Sequence, residues 1–252
     1  MSLKTPKLKV FVVVLAYNAQ KTIKKVIEDI PSDWVDEIVI SDDYSTDKTY
    51  VYSKTISGVK VIRNKKNLHM GGNQKVVYKY AIENNADIII VLHGDNQYDA
   101  SKIPEMIKPI INFESDVVIG SRILGGMALD GGMPKYKFLG NIFLNFIQNT
   151  AFKLKLSDYA TGYKAYSRKA LTSVPYLKNR NDFIFDEQLN TQFVYFGFKI
   201  SQVGIPTRYF KEASSVGFLT SVHYGLWTVI TTLQFILAKY KFYIPSFLSK
   251  LP

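Results

Sequence analysis

The feature that most constrains this chain is the run Ile88-Ile-Ile-Val-Leu92, which breaks at once into His93-Gly-Asp95-Asn-Gln97. Five apolar residues without a polar interruption fit a strand buried on both faces. Both faces are covered when helices cross over a parallel sheet, so the run predicts an α/β chain. The acid and amide oxygens that end it would then sit at the carboxyl edge of that sheet, where a divalent cation can be held against a phosphorylated ligand. The same residues also suit a polar turn leaving a sheet.

Strand and helix signals alternate through the first half. Strands are predicted over Val10–Ala16, 37–41, Val59–Arg63, 87–92 and 116–120. Between them a helix is predicted over 20–30, with Ile23, Val26, Ile27 and Ile30 at helical spacing and Pro31 as its stop. Further helices are expected over 46–53, 72–85 and 101–113, the last admitting Pro104 in its first turn. Residues 124–134 contain four Gly and a Pro, the composition of a flexible active-site lid. A helix over 138–152, a strand or hairpin over 159–167, a helix over 186–196 and a strand over 199–203 follow. The expected architecture is an open, mostly parallel, Rossmann-like sheet flanked by helices, forming one domain over 1–218 with a C-terminal segment over 219–252.

The absence of Cys excludes disulfides and thiolate metal sites and fits a reducing compartment. A formal net charge of +11 fits either a solvated basic surface or an anionic partner such as a nucleotide, a lipid phosphate or an acidic membrane. The basic residues are spread along the chain and match no nucleic-acid-binding motif, so nucleic acid is not expected as a partner. The polar, basic opening from Met1 to Lys9 does not read as a signal peptide. Residues 213–238 carry no charge with His neutral, yet hold many Ser and Thr. Wound as a helix, Leu226, Val229, Ile230, Leu233, Ile236 and Leu237 share one face, with Thr228, Thr231, Thr232 and Lys239 opposite. With Lys239-Tyr-Lys-Phe-Tyr243 next, an interfacial membrane helix is preferred over a core helix or a spanning one.

Three polar strand ends should lie side by side in a doubly wound sheet: Ala16-Tyr17-Asn18, Ser41-Asp42-Asp43-Tyr-Ser45-Thr-Asp47, and His93-Gly-Asp95-Asn-Gln97. Acid pairs there can accept hydrogen bonds from a nucleobase and a ribose, while Ser45 and Asp47 also suit the cap of the next helix. Further along come Asn67-x-x-x-Gly71-Gly72, Gly120-Ser121-Arg122, Asp158-x-x-Thr161-Gly162-Tyr163-Lys164, Phe185-Asp186-Glu187 and Val203-Gly-Ile-Pro206-Thr-Arg208. In this order and spacing, the motifs resemble the family-2 glycosyltransferases of the GT-A fold over roughly 10–218. Within them the series is most similar to the dolichyl-phosphate mannose synthase and polyprenyl-phosphate glycosyltransferase branch.

The resemblance implies inverting transfer of a sugar from a nucleotide diphosphate donor. It assigns Ala16, Tyr17, Asn18, Asp42, Asp43, Asn67, Gly71 and Asp95 to the nucleotide sugar, and Asp95 and Gln97 to Mg²⁺ or Mn²⁺. Two positions depart from the family pattern: His93 stands where the first acid of an Asp-x-Asp cluster is usual, and Ala19 replaces an acid often found after Tyr-Asn. On the acceptor side, Arg122, Lys135 and Lys137 would grip a lipid phosphate or serve as surface charge. Arg208 and Ser214 resemble the segment that contacts phosphate in the polyprenyl branch. The catalytic residues expected are Asp95, Arg122, Asp186 and Glu187. A polyprenyl phosphate needs no general base, because its oxygen is already an anion. A sugar hydroxyl on a growing glycan would need Asp186 or Glu187 as base. The same acids also suit a helix N-terminus. A non-catalytic nucleotide-sugar-binding protein is the rival reading, and the expected location is cytoplasmic, at the inner face of the membrane.

Overall fold

The computed structural model describes residues 8–124, 127–209 and 217–250. The elements run β1 (Val10–Ala16), α1 (Ile23–Glu28), β2 (Glu37–Asp42), α2 (Thr49–Ser53), β3 (Val59–Arg63), α3 (His69–Glu83), β4 (Ile88–His93), α4 (Ile103–Ile111) and β5 (Val117–Ser121). After these come α5 (Met127–Asp130), α6 (Lys135–Phe152), β6 (Lys164–Ser167), α7 (Arg168–Thr172), α8 (Ile184–Tyr195), β7 (Ile200–Gly204) and α9 (Phe218–Lys239).

The strands form one sheet of order β3-β2-β1-β4-β6-β5-β7. β1 pairs in parallel with both β2 and β4, and β7 in parallel with β5. β6 alone is antiparallel, inserted between β4 and β5. The strand-or-hairpin expectation over 159–167 therefore resolves to one four-residue strand.

The unbroken apolar runs have the predicted cause. In β1, Phe11, Val13 and Leu15 point into a core under α3 and α8, whereas Val10, Val12 and Val14 point into a second core under α1 and α4. β4 divides the same way, Ile89 and Val91 against Ile88, Ile90 and Leu92. Each strand needs apolar side chains at every position because each successive one enters a different core.

The segment 124–134, expected to be a flexible active-site lid, is described over 124 and 127–134. Its described part contains α5, and it is pinned: the Tyr209 N–H donates to the Gly131 carbonyl at 2.8 Å. A Cβ at Gly131 would lie 2.1 Å from the Thr207 carbonyl oxygen, so glycine there permits a close backbone approach.

α9 and α6 pack on one another and on the body of the domain with their polar sides inward. In α9 the buried residues are Thr228, Thr231, Thr232, Phe235 and Ala238, while Leu219, Leu226, Ile230, Leu233 and Leu237 are exposed. In α6 the buried residues are Asn145, Gln148 and Phe152, while Leu139, Ile142, Phe143 and Phe146 are exposed. Phe152 and Phe235 meet edge to face at 4.8 Å and join both helices to the main core. The start of α9 at Phe218 falls at the expected boundary of the C-terminal segment, but the segment shares the domain's core. Among the described residues no helix is long and apolar enough to cross a membrane, so the spanning alternative has no helix to carry it.

Candidate active site

The parallel register brings the three polar strand ends together as expected: Ala16 lies beside Asp42, and Leu15 beside His93. At the β2 end Asp42 is fully buried. Its Oδ2 faces the Arg63 Nε at 3.3 Å and accepts the Ser45 N–H at 3.3 Å, while its Oδ1 has no hydrogen-bond partner. Burial raises the Asp42 carboxyl above its usual range, partly offset by the Ser45 bonds and the Arg63 charge. Asp43 is differently engaged, its Oδ1 accepting from Asn64 Nδ2 and the Leu68 N–H, both at 2.8 Å.

Asn18 ties two of these strand ends. It sits at φ 52°, a left-handed conformation that Asn tolerates. Its Oδ1 accepts from the Thr46 N–H at 2.9 Å, and its own N–H donates to Ser45 Oγ at 3.0 Å. Tyr17 beside it is half exposed, its ring open to a ligand. Asn67 Oδ1 accepts the His69 N–H at 2.8 Å and turns the chain into α3. Gly71 packs against the α8 entrance: its N–H donates to the Asn181 carbonyl at 2.7 Å, and a Cβ there would lie 2.5 Å from Phe185 Cβ. Its requirement for glycine is explained by helix contact.

At the β4 end Asp95 and Gln97 are both buried, with Asp95 Oδ1 accepting the Gln97 N–H at 3.0 Å. His93 Nε2 is buried without a hydrogen-bond partner, against Gly162 and edge-on to Tyr98 at 5.7 Å.

A cavity of about 720 Å³ opens from these residues between α6 and α9. Its lining includes the polar groups His93, Gln97, Arg122, Lys137, Tyr209 and Asp186 and the apolar side chains Phe143, Leu144, Phe218, Leu226 and Val229. Arg122 is held rather than free. Its Nε and Nη2 donate to the two oxygens of Asp158 at 2.7 and 2.8 Å, and its Nη1 to Tyr209 Oη at 3.2 Å. Burial, with the nearby Arg122 charge, lowers the Lys137 ammonium below its usual range. Lys135, expected beside them, is exposed on α6 and does not line the cavity. Arg208 is also exposed, held by its N–H to the Gln97 carbonyl. Ser214 lies outside the described residues.

The two acids at the start of α8 part company. Asp186 lines the cavity, accepts from Gln74 Nε2 at 3.3 Å and lies 3.8 Å from Lys164 Nζ. Glu187 is fully buried, so of the two expected bases only Asp186 lines the cavity.

Residues 11–174 match the family model described as glycosyl transferase family 2. The chain belongs to this family. It is 31% identical over 178 residues to a UDP-N-acetylglucosamine–dolichyl-phosphate N-acetylglucosaminyltransferase of Methanococcus voltae, covering 64% of this chain and 70% of that one. An uncharacterized protein of Methanocaldococcus jannaschii is 30% identical, covering 82% and 85%. Among solved structures, glucosyl-3-phosphoglycerate synthase from Mycobacterium tuberculosis, in complex with Mn²⁺, UDP and phosphoglyceric acid, superposes with a TM-score of 0.70 at 19% identity, covering 95% of this chain and 80% of that one. The fold is GT-A.

Within this family-2 frame the donor set fits a hard cation. Asp95 and Gln97 offer oxygens, and a nucleotide diphosphate would offer more. Among the described residues no three His, Asp or Glu side chains gather to hold a metal by themselves, so substrate oxygens would have to complete the shell. Sequence reading missed Asp158 as the anchor of Arg122, Arg63 as the partner of Asp42, and Lys164 as a buried cation beside Asp186. Asp158 and Lys164 stand in a quoted motif, but their partners are 36 and 22 positions away.

Proposed function

We propose that this glycosyltransferase moves a sugar from a nucleotide diphosphate sugar to a polyprenyl phosphate, with inversion, at the inner face of a membrane. The observation that carries this reading is the cavity itself: its lining between α6 and α9 is mostly apolar, while Arg122, Lys137 and His93 line it together with Gln97, whose N–H is held by Asp95. A lipid phosphate has that polarity, a hydrocarbon chain ending in an anion. Tyr17, Asn18, Asp42 and Asp43 would take the nucleoside. Asp95 and Gln97 would hold Mg²⁺ or Mn²⁺, which when bound supplies Lewis-acid stabilisation of the departing diphosphate. Arg122, fixed by Asp158, presents an oriented guanidinium edge without further ordering cost. The Methanococcus voltae relative, named for a dolichyl-phosphate acceptor, supports the same reading.

Incubation with labelled nucleotide sugars, polyprenyl phosphate and Mn²⁺ should give a product that extracts into organic solvent, and EDTA should suppress it. Label transferred only to water-soluble glycan would overturn the lipid acceptor. It would favour a second reading, in which Asp186 in the cavity wall removes the proton of a sugar hydroxyl.

A further inference from the structure

Glu187 does not face the cavity, yet it touches both helices that wall it. Its Oε1 accepts from Gln148 Nε2 of α6 at 2.5 Å, and its Oε2 accepts from Tyr224 Oη of α9 at 3.2 Å. It is fully buried, and α8, which carries it, is buried along most of its length. One carboxyl group is thus the shared acceptor for two walls, carried on a helix buried along most of its length.

We propose that Glu187 is a positioning residue that sets the spacing of α6 and α9, and so the fit of the acceptor between them. This rests on the reading of the cavity as the acceptor site. An ionised carboxylate accepts both bonds at once, one on each oxygen. A neutral carboxyl carries a proton that must be donated, which competes with one of its two present donors and slackens one wall.

The surroundings allow both states near neutrality. Burial raises Glu187 to about 7; Lys164 and the Tyr224 bond oppose this, and Asp186 adds to it. The titratable or charged groups facing it are Lys164 from β6, Asp186 from α8, Tyr224 from α9 and Tyr159 from the loop before β6, whose own hydroxyl Glu187 helps to raise. From α6 comes Gln148, which does not titrate. Lys164 Nζ has no hydrogen-bond partner, so it biases the charge of Glu187 without constraining its direction.

The test compares wild type with Glu187→Gln, which keeps the shape and removes the charge. Wild-type KM for polyprenyl phosphate should rise as pH falls through about 7, while Glu187→Gln should keep a raised KM, about tenfold, at every pH with kcat little changed. The acceptor phosphate itself titrates near ~6, so the difference between the two proteins is the readout. Because the chain has no Cys, spin labels at Leu139→Cys on α6 and Leu233→Cys on α9 report the wall spacing directly by double electron–electron resonance. The spacing should shift with pH in wild type and stay fixed in Glu187→Gln. Gln148→Met, which removes the α6 donor alone, serves as the second variant if Glu187→Gln folds poorly, and should also fix the spacing. Identical KM profiles and identical spacing in wild type and variants would overturn the proposal. A pH-dependent spacing in a protein that transfers nothing to polyprenyl phosphate would support the positioning role and refute the acceptor reading separately.

Discussion

Asp42 and Asp95 lie at the ends of β2 and β4, on either side of β1 at one sheet edge, in different surroundings. Asp42 is sealed beside Arg63 and Ser45, with one oxygen unpartnered. Asp95 is buried and accepts the N–H of Gln97, which lines the cavity. Asp95→Ala should abolish transfer without unfolding the protein, and Gln97→Ala should cost less, because a neutral amide is the weaker cation ligand. Circular dichroism with a transfer assay checks both. Asp42→Ala should weaken nucleotide diphosphate binding by about 1–3 kcal/mol in calorimetry, the cost of leaving buried donors unpaired. Glu187 gives a stability prediction. The unfolded chain loses this proton near its ordinary value of 4.5, and the folded chain near 7. Between these values the folded state binds more proton. The group's stabilisation is therefore full below 4.5, declines as pH rises to about 7 and is level above. Urea titrations of wild type should show this decline, and Glu187→Gln should lack it. At this scale the acids at strand ends were legible, because a polar cluster closing an apolar strand is a local signal. Lys164 and Glu187 were legible as motif members only. Lys164 pairs with Asp186 across 22 positions, and Glu187 accepts from Gln148 and Tyr224, which sit 39 and 37 positions away on other helices.

Elements were more legible than their ends. All seven strands fall within the predicted ranges or a residue or two beyond, since their residues fill two cores at once. Helix starts moved further: α3 begins at His69 rather than 72, because Asn67 caps that turn. α2 is only Thr49–Ser53, because Asp47 Oδ1 takes the Thr49 N–H and closes the preceding turn instead. Two substitutions probe how elements meet. Gly71→Ala would push a methyl into Phe185 Cβ and the Arg180 carbonyl, and should destabilise the fold by about 1–3 kcal/mol, as overpacking does. Thr231 of α9 is buried with its hydroxyl unpartnered. Thr231→Val keeps the shape and removes the orphan, so thermal unfolding should shift upward by about 1 kcal/mol equivalent.

For the whole molecule, the two faces of α9 could be drawn from the sequence, but not which of them would turn inward. That depends on the polar partners waiting on α8 and on hydroxyls that bond back to their own helix, as Thr228 does to the Tyr224 carbonyl and Thr232 to the Thr228 carbonyl. The leucines of α9 and phenylalanines of α6 are left exposed, Leu226 and Phe143 among them also lining the cavity, and the exposed Lys239 and Lys241 follow at the end of α9. Wild type should co-sediment with anionic vesicles at low salt. Leu219→Glu with Leu233→Glu should abolish this while moving folding stability by no more than about 0.5 kcal/mol each, since neither side chain is buried. A helix that keeps its threonines inside and its leucines outside separates two properties that most globular proteins must trade against each other. The residues that hold this helix to the domain and the residues it turns outward are different residues. Mutation of the exposed leucines can therefore change what the outer face of α9 meets while the frame behind it stays as it is.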